Sequence, residues 1–84
     1  MIKSKFSEII NDGLNRNKSF MVVKIKQTGA INPTIIIVQS DDILRVTCRY
    51  MKLTDANMTF EDSGDQIIDV LMTSNLNDLS WFAY

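Results

Sequence analysis

The chain has 84 residues, 45% of them hydrophobic and 23% charged, with a formal net charge of −1. That length supports one domain with one core, and the balance of apolar and charged residues excludes intrinsic disorder. There is no histidine and one cysteine, Cys48, which removes Ser-His and Cys-His nucleophile pairs and the zinc sites built from those ligands.

Residues 3–16 read as an amphipathic helix, with Phe6, Ile9, Ile10 and Leu14 at helical spacing. "NRNKS" then breaks the pattern. Residues 19–28 read as a strand: Met21, Val23 and Ile25 fall on one face, and Phe20, Val22, Lys24 and Lys26 on the other. "GAINP" is a turn. Residues 34–39, "TIIIVQ", read as a second strand, its four apolar β-formers suggesting a central position. Residues 43–52, "ILRVTCRYMK", alternate Leu44, Val46, Cys48 and Tyr50 against Arg45, Thr47 and Arg49, which predicts a third strand with Cys48 turned inward. Short connections predict an antiparallel meander of the three.

A short strand is expected near Met58–Phe60. Ile67, Ile68, Leu71 and Met72 predict a helix over residues 64–73, and "LNDLSWFAY" a last short one. The predicted fold is α+β over residues 1–84: a three-stranded antiparallel sheet, one N-terminal helix and two short C-terminal helices, in the order α-β-β-β-α-α.

Charge is divided along the chain. All nine Lys and Arg lie in residues 1–52, where the balance is +5; residues 53–84 hold six carboxylates and no base, a balance of −6. Helix capping accounts for two or three of these acids and not for the absence of Lys and Arg. Closely spaced carboxylates on a rigid surface can occupy a basic groove on a partner, because complementary charge speeds encounter and excludes wrong partners. Asp55, Glu61, Asp62, Asp65 and Asp69 are the candidate contacts. The alternative surface is basic: Lys24, Lys26, Arg45 and Arg49 would line the solvent face of the predicted sheet and meet nucleic-acid phosphates. A third possibility is a structural or oligomerising role, with Trp81 and Tyr84 in "SWFAY" as an aromatic anchor for a partner or a second copy, a homodimer.

Other constellations are poorer. Asp41-Asp42 falls in a predicted turn, where solvated Asp is normal. "DANMTFEDSGD" lacks the calcium-loop spacing. Gly29 and Gly64 are isolated, so no phosphate-cradling loop is present. No catalytic residue, metal site or cofactor is expected, and a binding role is expected instead of an enzyme. No apolar run is long enough for a membrane span or a signal peptide, and a lone cysteine suits a reducing compartment, so a cytoplasmic location is expected.

The order α-β-β-β-α-α, the size and the acidic C-terminal helices resemble some small phage-encoded inhibitors, among them certain anti-CRISPR proteins. The abundance of Ile, Asn and Lys is similar to proteins of AT-rich mobile elements. The resemblance covers architecture and composition and rests on no motif, so no family residue is carried over. It implies a non-enzymatic inhibitor that binds a host defence nuclease complex and blocks its nucleic-acid site. The net charge of −1 departs from the strongly acidic members of that group.

Overall fold

The computed structural model describes residues 1–83. Helix α1 (Lys3–Asn15) leads into strands β1 (Phe20–Lys26) and β2 (Thr34–Gln39). A 3-10 turn at Ser40–Asp42 opens helix α2 (Ile43–Leu53); strand β3 (Gln66–Thr73) follows, then a second 3-10 turn and the short helix α3 (Leu79–Phe82). The α+β class, the N-terminal helix, the three-stranded antiparallel sheet and the helical C-terminus stand as predicted.

Two segments exchange roles. Residues 43–52, predicted as the third strand, form α2, and residues 64–73, predicted as a helix, contain β3. Over residues 43–54 both periods fit, and the helical one wins: Ile43, Val46, Thr47, Tyr50, Met51 and Thr54 lie on the protected side, while Leu44, Arg45, Cys48, Arg49, Lys52 and Leu53 are exposed. Cys48 is thus a surface thiol, not a core residue. In β3 a bulge misled the reading. Lys24 pairs with Asp69 but Ile25 with Ile67, which leaves Ile68 as the extra residue. The inward residues become Ile67, Val70 and Met72, and a bulged strand with a gap of three followed by a gap of two imitates helical spacing.

The sheet order is β2-β1-β3, with both pairings antiparallel. The central strand is β1, and "TIIIVQ", expected in the centre, is an edge. On one face Met21, Val23 and Ile25 of β1 meet Val38 and Ile36 of β2 and Met72, Val70 and Ile67 of β3. Phe6 and Ile10 of α1 and Ile43 of α2 close this core. Helix α1 lies so close to β3 that a Cβ at Gly13 would collide with the Met72 side chain. The helix ends with Asn17 in the left-handed region (φ 56°), while Lys18 N–H donates to Gly13 O (3.0 Å) and Asn17 N–H to Leu14 O (3.1 Å). That pair of bonds is a Schellman cap, and it explains the break at "NRNKS".

The opposite, open face carries Val22, fully buried, and Phe82 of α3, 3% exposed; neither belongs to the main core. Lys24 Nζ stands 4.7 Å from the centre of the Phe82 ring. So α3 docks on this face, with Phe82 as its anchor and Trp81 left 59% exposed. Tyr84 lies outside the described residues.

Candidate partner-docking surface

The carboxylates after Lys52 do not share one surface. Four of the five expected contacts, Asp55, Glu61, Asp62 and Asp65, gather in the turn-rich stretch between α2 and β3. The stretch is tightly tied. Asp55 N–H donates to Thr59 O (2.9 Å), Glu61 N–H to Leu53 O (3.1 Å), Phe60 N–H to Asp65 O (2.7 Å) and Gly64 N–H to Phe60 O (2.8 Å). Gly64 takes φ 78°, a conformation glycine adopts freely. Met58 takes φ 61° with its side chain fully buried. A methionine rarely adopts that conformation, and burial in the core holds it there.

The turn fixes two carboxylates from behind. One Asp55 oxygen accepts the N–H groups of Asn57 (2.9 Å) and Thr59 (3.0 Å). The Thr59 and Asn57 N–H groups, in that order of weight, hold the Asp55 carboxyl below its ordinary value of 3.8, with a smaller contribution from Lys3. Asp65 Oδ1 accepts the N–H of Thr28 (3.0 Å), which ties the turn to the β1–β2 loop. Glu61 and Asp62 are exposed and, among the described residues, have no side-chain hydrogen bond or ion pair. Lys3 braces the same region: its ammonium donates to Met51 O and Thr54 O at the end of α2, both at 2.7 Å, where cations are favoured by the helix dipole.

Asp69 stands apart. It lies on β3 opposite Lys24, and its Oδ1 accepts the N–H of Val70 (2.9 Å). Asp78 is structural, taking Thr73 Oγ1–H (2.7 Å) and the indole N–H of Trp81 (3.3 Å).

The four expected basic contacts also split. Lys24 and Lys26 belong to β1, while Arg45 and Arg49 point outward from α2, so the two basic stripes across one sheet face do not form. A different basic surface takes their place. Arg45, Arg49 and Lys52 follow one another at helical spacing and, with Cys48 and Leu53, line a shallow groove of about 490 Å³. Asp42 pairs with Arg45 (2.9 Å). Lys52 was missed because strand alternation put it on the face of Leu44, Val46, Cys48 and Tyr50, away from Arg45 and Arg49; the spacing 45, 49, 52 on a helix would have found it.

Three ion pairs form among the described residues, Lys5–Glu8, Arg16–Asp12 and Arg45–Asp42. All lie within residues 1–52, and none joins the basic half to the acidic half. Among the described residues the two charge blocks are thus not joined by ion pairs, although they meet where Asp69 stands opposite Lys24 and where Lys3 acts on Asp55. Among the described residues no three metal-ligating side chains converge, and no helix is long and apolar enough to cross a membrane. No family model, curated protein or solved structure matches this chain.

Proposed function

We propose that the chain acts by occupying a partner's surface without catalysis, and that the turn between α2 and β3 is the contact. The partner surface it suits is a basic groove that otherwise takes nucleic acid, as in a host defence nuclease complex blocked by an inhibitor of the anti-CRISPR kind. One observation carries this reading. Asp55, Glu61, Asp62 and Asp65 project from a short stretch whose backbone is bonded at both ends, and no ion pair with the chain's own cations neutralises them among the described residues. Ordering cost is then already met before docking, and exposed like charges accelerate encounter with a basic partner. Asp69, beside Lys24, drops out of the contact set.

The test reverses charge where the fold does not use it. Glu61→Lys with Asp62→Lys leaves the hydrogen bonds of Asp55 and Asp65 in place. A tagged protein is incubated with bacterial lysate, half of it treated with nuclease. The expected partner is a protein that survives nuclease, is released by high salt and is not captured by the double variant. Equal capture by the variant, or loss of all capture after nuclease treatment, would refute the reading.

A second reading rests on α2. Arg49 and Lys52 have no ion-pair partner among the described residues and share the groove with Arg45. Such a helix face suits phosphates. It predicts retention of nucleic acid that Arg49→Glu with Lys52→Glu abolishes and that weakens as salt rises.

A further inference from the structure

We propose that β2 is a pairing edge through which two copies of this chain join antiparallel, fusing two three-stranded sheets into one. The inference is independent of the acidic contact. It starts from the difference between the two edges of the sheet. An edge strand offers a row of unpaired N–H and C=O groups, and proteins that stay monomeric blunt it with charge, bulges or a covering segment. The β3 edge has all three. Its ladder is bulged at Ile68, Asp69 stands in its middle, Ile67 N–H is taken by Met58 O (2.9 Å), and Gln66 bridges to Thr59.

The β2 edge has none of them. Thr34–Gln39 carries no charge, glycine, proline or bulge, and five successive residues, Thr34 to Val38, are β-branched. Among the described residues its backbone makes no hydrogen bond beyond the ladder with β1. On the open face Ile37 is 44% exposed and Ile35 partly so.

A second copy fits this edge better than a partner of unlike sequence. An isologous contact sets a patch against itself, so any charge within it meets its own kind; β2 has no charge to oppose. A two-fold axis normal to the sheet keeps the helices of both copies on one side, so opposed residues must point to the same face. Centring the axis on Ile36 sets Thr34 against Val38 of the copy and Ile35 against Ile37. The four open-face isoleucines then pack across the seam, pairing β-branched side chains as sheets favour, and Ile37 loses its contact with water. The seam is narrow, so the dimer is weak and depends on concentration.

Sedimentation velocity over a concentration series tests this, with Ile37→Lys and the matched Ile68→Lys, which puts the same charge on the other edge. Circular dichroism confirms that each variant folds. The wild type and Ile68→Lys should pass from monomer to dimer as concentration rises, and Ile37→Lys should remain monomeric. A wild type that is monomeric throughout, an Ile37→Lys that dimerises equally, or an Ile68→Lys that cannot dimerise would overturn the proposal. Register is checked without relying on Lys variants. In a Cys48→Ser background, Ile35→Cys mixed with Ile37→Cys should give the mixed disulfide in excess over either symmetric one. Dominance of a symmetric product would overturn the axis at Ile36.

Discussion

Asp55 shows how one side chain links the acidic surface to the stability of the turn beneath it. One of its oxygens collects two backbone N–H groups, and these favour the ionised form. Its folded pKa lies below the ordinary 3.8, so its contribution to stability is complete above that value and is lost as pH falls through the lowered one. Asp55→Asn keeps an acceptor oxygen but does not titrate. Urea unfolding at neutral pH and again below the ordinary carboxylate value should show a smaller acid-induced loss for this variant than for the wild type; an unchanged loss would assign the acid sensitivity to other groups. The same turn forces Met58 into a left-handed conformation, a feature that no residue-type preference in "DANMTF" announces.

At the scale of elements, α2 is where strand and helix patterns compete most closely. Cys48 separates them: a strand turns it inward beside Val46 and Tyr50, and the helix sets it on the surface between Arg45, Arg49 and Lys52. Two outcomes follow. The thiol should react with a disulfide reagent in native protein as fast as in unfolded protein, within the limits set by local charge. Cys48→Ala should raise stability by at most about 0.7 kcal/mol through helix propensity, whereas an inward cysteine would lose on the order of 1 kcal/mol. The class, the first helix, the first two strands and the last short helix were legible: α1 carries a clean helical period, β1 alternates, and β2 is an unbroken β-branched run, each bounded by turn residues. Residues 43–53 were not, because a stretch of eleven satisfies both periods until its neighbours are known. Residues 66–73 were not, because a bulge is a property of the pairing with β1 and leaves no mark in β3 alone. Of the acidic candidates, Asp55, Glu61, Asp62 and Asp65 share one stretch while Asp69 lies apart on β3; of the basic ones, Lys24 and Lys26 lie on β1 and Arg45 and Arg49 on α2, because their expected common face depended on a third strand over residues 43–52.

For the molecule as a whole, the sheet has two unequal faces. Two helices seal one, and a four-residue helix guards the other through Phe82. A domain of this size has about 4–13 kcal/mol of stability in total. Phe82→Ala should cost about 3–5 kcal/mol, enough to bring the midpoint of thermal unfolding down sharply. Trp81→Ala, in the next residue, should stay within about 0.5 kcal/mol because the indole is mostly in water. Equal losses at both positions would mean that the aromatic end packs differently. The exposed Trp81, bonded through its N–H to Asp78, is then free to serve contacts outside the chain.

The placement of β1 in the middle of the sheet governs how the protein is made. Its first neighbour, β2, follows directly and can zip up as a hairpin while synthesis continues. Its second neighbour, β3, is translated only after α2 and the long turn. Until then the nascent chain on the ribosome presents an open strand edge and the apolar faces of Met21, Val23 and Ile25. That interval favours capture by chaperones that hold extended apolar segments. A message truncated before the codon for Gln66 would yield a product with that edge permanently open, a substrate for proteases and not a shorter working version of the protein.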